Sequence, residues 1–192
     1  MESSVIKYIL PDGRTNIESL KTMDNHDIRQ DSEIQSSQTG NEGDKRNAGQ
    51  IKIDFSGRLL GGCMDCLVNL LGTKYDKVTG FTERYKNDGI LWFLESCDLN
   101  VMSIRRAMWQ MEHAGWFEHC SGFIIGRPLC HGQEIMGLDQ YQAVYEVIKK
   151  DKVPVMMDID IGHLAPMVPI ICGSMGKIVS DGANYSVEMA LE

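Results

Sequence analysis

Apolar side chains recur along this chain with two periods, in stretches punctuated by glycine, asparagine and aspartate. Ile51, Ile53 and Phe55 alternate with Lys52, Asp54 and Ser56, which predicts a strand with one buried face. Gly61-Gly62 then reads as a turn, and Met64, Leu67, Val68 and Leu71 fall on one side of a helix that Gly72 would cap. Ile90-Leu91-Trp92-Phe93-Leu94 is an unbroken apolar run after Asn87-Asp88-Gly89, as in a strand covered on both faces. Val101, Ile104, Met108 and Met111 mark a helix closing near Gly115, and Phe123-Ile124-Ile125 lies between Gly122 and Gly126 as a second buried strand. Tyr141, Val144, Tyr145 and Ile148 stripe a further helix, with Asp139 as its N-cap and Lys149-Lys150 near its C-terminus. Val155-Met156-Met157 starts another strand, and residues 169–172, 177–180 and 185–189 read as a closing run of β segments. Strands alternating with helices, then successive strands, predict an α/β fold with a mixed sheet and flanking helices.

The character of the chain changes near residue 50. Between residues 24 and 50 only Ile28, Ile34 and Ala48 are apolar, too few to offset the entropy of ordering the segment. Residues 5–10 have strand character and a short helix fits the remainder of the first 23 residues, but these are too few to form a domain. The expected organisation is a flexible arm or linker remnant over residues 1–49 and one domain over residues 50–192, with no internal repeat.

Composition narrows the class. The chain has 192 residues, 43% of them hydrophobic, enough for one ordinary core. Nineteen Lys and Arg against twenty-seven Asp and Glu leave a net charge of −8, which argues against a nucleic acid partner. No apolar run reaches the ~20 residues of a membrane-spanning helix, so no membrane partner is expected. The first ten residues are interrupted by Lys7 and followed by Pro11-Asp12-Gly13, unlike a secretory signal. Six cysteines without an export signal are expected as reduced thiols, and the expected location is cytoplasmic.

Strand ends are where an α/β sheet presents reactive side chains. Glu95 directly follows the run 90–94, and His163 follows Asp158-Ile159-Asp160-Ile161-Gly162 in a loop. A carboxylate beside an imidazole fixes its tautomer and stabilises the imidazolium formed when the ring takes a proton. Spacing does not choose between Glu95 and the rival carboxylates Asp98, Asp158 and Asp160. A nucleophile is missing: no Gly-x-Ser-x-Gly occurs, Ser174 lies in a turn of Gly173-Ser174-Met175-Gly176, and Ser56 reads as structural at a strand end. Cys63-Met64-Asp65-Cys66, with His119-Cys120 and Cys130-His131, offers a set of zinc donors, but two close cysteine pairs at zinc-site spacing do not occur. The plainer reading of the cysteines is as small packing residues. Gly57-Arg58-Leu59-Leu60-Gly61-Gly62 lacks the elements of a phosphate loop or dinucleotide fingerprint. Arg58 and Arg127 could grip a carboxylate, or serve in salt bridges.

Taken together, Ser56-Gly57-Arg58-Leu59-Leu60-Gly61-Gly62, Gly72-Thr73, Ile90-Leu91-Trp92-Phe93-Leu94-Glu95, the helix end Ala114-Gly115, the strand leading to Gly126, and Asp158-Ile159-Asp160-Ile161-Gly162-His163 with Pro166 resemble the C-terminal domain of the LD-carboxypeptidases. These serine peptidases act on muramoyl-tetrapeptides, and microcin-immunity proteins are relatives. The resemblance covers residues 50–192 and implies a swivelling β/β/α-type domain. It implies that Glu95 orients His163, and that His163 acts as general base and then general acid. The nucleophilic Ser and the oxyanion donors would come from a Ser-bearing N-terminal domain, which this sequence lacks. The implied substrate is a murein tetrapeptide or related peptide, cut between the L-centre of a diamino acid and terminal D-Ala, with no metal or organic cofactor. Cys63 stands where many members carry Asn. The chain alone is then expected to be catalytically silent. The alternative is a non-catalytic module that binds a peptide or partner; a second copy of the chain is a further candidate partner.

Overall fold

In the computed structural model, residues 4–10, 53–180 and 184–191 are described. The helix expected within the first 23 residues, the linker of residues 24–50 and the strand start at Ile51 lie outside them. The elements are β1 (Ser4–Leu10), β2 (Ile53–Cys63), α1 (Met64–Leu67), α2 (Val78–Arg84), β3 (Ile90–Glu95), α3 (Val101–His113), β4 (Cys120–Gly126), α4 (Gln140–Ile148), β5 (Val155–Ile159), β6 (Met175–Ser180) and β7 (Tyr185–Leu191). They build one seven-stranded sheet in the order β1-β7-β6-β2-β3-β4-β5. Strands β2 to β5 run parallel, while β6, β7 and β1 add on antiparallel beyond β2. This is the mixed α/β sheet that the alternating elements predict.

Both faces of the central strands are covered, which explains their unbroken apolar runs. Ile90, Trp92, Leu94, Phe123 and Ile125 point into a cluster with Ile104, Met108 and Met111 of α3 and Val144 and Ile148 of α4. Trp92 stacks on Trp116 with ring centroids 6.1 Å apart and meets the ring of Phe117 edge-on at 5.2 Å. On the other face Leu91 and Ile124 join Phe55, Leu59, Ile178, Val187 and Met189, in a cluster to which, among the described residues, strands and loops contribute and no helix does.

Helix α4 begins as its N-cap predicts. The Asp139 carboxylate accepts from the Gln142 N–H at 2.7 Å, and the Gln142 side chain accepts in return from the Asp139 N–H at 3.4 Å. Helix α3 is capped likewise by Asn100, whose Oδ1 accepts from the Ser103 N–H at 2.9 Å.

Four expectations are corrected. Gly61-Gly62 is no turn: β2 continues through both residues to Cys63. Gly61 has φ +153°, and a side chain there would run into the Phe93 carbonyl oxygen, so glycine is used for close approach of β2 to β3. Ser56 consequently lies within β2 and not at its end. The helix after Gly62 stops at Leu67, because the Asn69 side chain donates to the Asp65 carbonyl at 2.7 Å and its own N–H turns to Cys66. Residues 169–172 form no strand; Ile170 and Ile171 instead pack as loop residues against the helix-free cluster. Helix α2, which contains Gly80, packs Val78, Phe81 and the following Tyr85 against the core, a short stripe not marked among the helices expected from the sequence.

Candidate functional site

The parallel register sets the site. Pairing Gly61 with Phe93 and Gly62 with Leu94 brings Cys63, the last residue of β2, opposite Glu95, the last residue of β3. Two strands over, the chain leaving β5 passes through Ile161 and Gly162 and delivers His163 to the same rim. The ring Nδ1 of His163 lies 2.8 Å from Oε2 of Glu95. Glu95 is 7% exposed, while the His163 side chain is 48% exposed, so a buried carboxyl holds a solvent-facing ring.

Room for this contact depends on Gly162. It has φ +101°, a conformation that side chains disfavour, and a Cβ there would stand 2.6 Å from Oε2 and 2.8 Å from Cγ of Glu95.

The rival carboxylates are engaged elsewhere. Asp158 accepts from the Tyr141 hydroxyl at 2.6 Å. Asp160 is ion-paired with Arg127 and accepts from the Tyr185 hydroxyl at 3.1 Å, while its own N–H donates to the Tyr185 oxygen at 2.9 Å. Asp98 meets the site through its backbone, its N–H donating to Asp65. The arginines are also engaged: Arg58 pairs with Asp88 at 2.6 Å and donates to the Gly173 carbonyl at 2.9 Å. Ser174 is the expected turn residue, its hydroxyl donating to the Ile171 carbonyl at 2.8 Å.

Electrostatics follow from this packing. The hydrogen bond and the negative charge of Glu95 raise the His163 pKa above the ordinary 6.5. A carboxylate can only accept, so the proton of the neutral ring sits on Nδ1 and Nε2 carries the lone pair. Among the described residues, none hydrogen-bonds to Nε2, and no serine hydroxyl bonds to the ring. The arrangement holds an imidazole in its proton-accepting tautomer with that nitrogen directed away from Glu95.

The site also contains Asp65, given no role from the sequence, and Cys63, noted there as a zinc-donor candidate and as standing where many members of the resembled family carry Asn. One ligating atom from each of Cys63, Glu95 and His163 lies within 4.8 Å of the others. Burial, reinforced by Glu95, pushes the Cys63 thiol up to about 12, so it is a neutral S–H donor and not a thiolate. That S–H donates to Asp65 at 3.4 Å. Asp65 in turn accepts from the N–H groups of Cys97 at 3.0 Å and Asp98 at 2.7 Å. Burial works against its ionisation, but those donors outweigh burial and hold its pKa below the usual carboxylate value. Asp65 thereby ties α1 to the loop that follows Glu95. The signal for both residues is nonlocal: only the β2–β3 register makes Cys63 and Glu95 neighbours.

The zinc donor set read from the sequence does not assemble. Among the described residues, Cys66, His119, Cys120, Cys130 and His131 join no group of three converging donors, and His119 pairs with Glu83 at 3.1 Å. All six cysteines are free thiols. Cys63 is half-buried and Cys66 exposed, which corrects the reading of this pair as buried packing residues.

With this geometry in hand, comparison with known proteins identifies the domain. The family model of the LD-carboxypeptidase C-terminal domain matches residues 56–178, more than half of the chain, and the chain belongs to that family. Muramoyltetrapeptide carboxypeptidase from Oxalobacter formigenes has a similar structure, with TM-score 0.57, 16% sequence identity, and 74% of this chain matched to 48% of that one. The microcin C7 self immunity protein MccF, solved in complex with glutamyl sulfamoyl guanosine, gives TM-score 0.57 and 21% identity over 70% of this chain and 38% of MccF. The chain therefore spans less than half the length of these relatives. Curated protein sequences yield no match.

Proposed function

We propose that this chain supplies the base half of a serine LD-carboxypeptidase site. Glu95 is the orienting carboxylate and His163 the general base and acid. The supporting observation is the 2.8 Å contact from Nδ1 to a buried carboxylate, which leaves Nε2 without a partner among the described residues. A serine from a separate Ser-bearing domain would give its proton to Nε2 as its oxygen attacks the peptide carbonyl. Glu95 then stabilises the imidazolium. His163 returns the proton to the departing amine, and water repeats the sequence on the acyl-enzyme.

The proposed substrate is a murein tetrapeptide or related peptide in the cytoplasm, cut at the bond between the diamino acid and terminal D-Ala. Nothing in this chemistry calls for a metal or organic cofactor. The chain by itself is proposed to be silent, because a triad works as a unit and, among the described residues, none brings a nucleophile into hydrogen-bonding contact with the ring.

The test is reconstitution. The isolated chain should release no D-Ala from the tetrapeptide, and adding an N-terminal domain of a relative with its serine should restore release. His163→Ala in the reconstituted pair should lower kcat by roughly 10⁴-fold or more. Normal turnover by the isolated chain would overturn the missing-nucleophile argument. Tetrapeptide binding without the partner, indifferent to Glu95→Ala, would assign a peptide-binding module instead.

A further inference from the structure

We propose that the rim where Cys63, Glu95 and His163 converge is a binding site for one borderline-soft divalent cation of the zinc class. The inference stands apart from the peptidase reading, because it concerns binding to this chain and needs no serine.

Three observations carry it. Two donors end strands β2 and β3, the third lies in the loop after β5 on the same rim, and their ligating atoms all lie within 4.8 Å of one another. A tetrahedral zinc ion, with bonds of about 2.0–2.3 Å, separates its ligands by roughly 3.3–3.8 Å. The remaining adjustment falls on one χ angle of Cys63 and on a ring that is 48% exposed.

The donor set is also right in kind. Thiolate sulfur, imidazole nitrogen and carboxylate oxygen are the three zinc donors of proteins, and sulfur disfavours magnesium and calcium. The exposed side of His163 leaves a fourth position open to water, as in sites with three protein ligands.

Asp65 accepts from the Cys63 S–H at 3.4 Å and is itself fixed by the Cys97 and Asp98 N–H groups, which holds the neutral thiol on this rim; that hydrogen bond ends when the thiol is deprotonated on binding.

On binding, the Cys63 S–H bond breaks and its proton passes to solvent, while the sulfur lone pair forms the bond to the metal. The neutral ring ligates through Nδ1, and its proton moves from Nδ1 to Nε2 by exchange with solvent. The hydrogen bond between His163 and Glu95 gives way to two metal bonds, with no change of oxidation state. An occupied site leaves the imidazole no lone pair to accept a proton.

The experiment uses the full chain, stripped with chelator and kept reduced, and titrates it with Co²⁺ and then Zn²⁺. One equivalent of Co²⁺ should bind with a thiolate-to-cobalt charge-transfer absorption, which Zn²⁺ should displace. Cys63→Ser should abolish that absorption, and His163→Ala should weaken uptake at least tenfold, while Cys66→Ser should leave both unchanged. Circular dichroism of each variant separates loss of a ligand from loss of fold. Should Cys63→Ser not fold, His163→Ala decides, since its ring is solvent-facing. No stoichiometric uptake, an absorption that survives Cys63→Ser or vanishes with Cys66→Ser, or uptake indifferent to His163→Ala would overturn the proposal. A metal-free result leaves the reconstitution experiment untouched, so the two readings fail separately.

Discussion

His163 owes its properties to one neighbour. With Glu95 at 2.8 Å the charged ring is favoured, and the pKa lies above 6.5. Titration of the ring by NMR should give that raised value, and Glu95→Gln should return it toward the ordinary range. The sign for stability follows from linkage. Because the folded pKa exceeds the unfolded one, the stabilisation is fully present below about pH 6.5 and disappears as pH rises through the folded value. The difference in Tm between wild type and His163→Ala should therefore be largest below pH 6.5 and shrink above it. Gly162 governs the same contact from behind: Gly162→Ala places a methyl group 2.6 Å from the Glu95 oxygen in a strained backbone. That variant should drop the His163 pKa as Glu95→Gln does, in the same titration.

Among the elements, β7 has an unexpected influence on a loop that starts five strands away in the sheet. Tyr185, its first residue, is buried and bonds twice to Asp160, once to the carboxylate and once to the N–H. The Asp160 carbonyl accepts from the Val168 N–H at 2.7 Å, so the loop bearing His163 is pinned at its base by the antiparallel half of the sheet. Tyr185→Phe strands a buried N–H and should cost about 1–3 kcal/mol in denaturant unfolding. Such ties explain how much the sequence could reveal. Strands β3, β4 and β5 and helices α3 and α4 were legible because each carries its own period or cap. The placing of Glu95 and His163 at strand ends was legible too, with the family resemblance choosing Glu95 over Asp98, Asp158 and Asp160. Gly61-Gly62 misled because paired glycines signal a turn locally, whereas their reason here is the Phe93 carbonyl on another strand. The apolar residues 169–172 misled similarly: Ile170 and Ile171 need burial but receive it in a loop.

For the molecule as a whole, the sheet divides the core into a helix-covered cluster and one that, among the described residues, strands and loops alone build. Trp92 anchors the first, fully buried between Trp116 and Phe117. Trp92→Ala should cost about 3–5 kcal/mol of unfolding free energy by calorimetry or denaturant titration. Glu95, three residues further along the same strand, should then report the damage through a weakened His163 titration shift.

The parallel direction of β2 to β5 has one more consequence. Cys63, Glu95 and His163 all emerge where these strands finish, while the chain enters β3, β4 and β5 at the far margin, after residues 86–89, 117–119 and 152–154. Drift in those entry loops, or a fused tag or new chain opening placed there, works at the full length of a strand from the chemistry. What must be kept and what is free to vary are thus sorted to opposite borders of the domain.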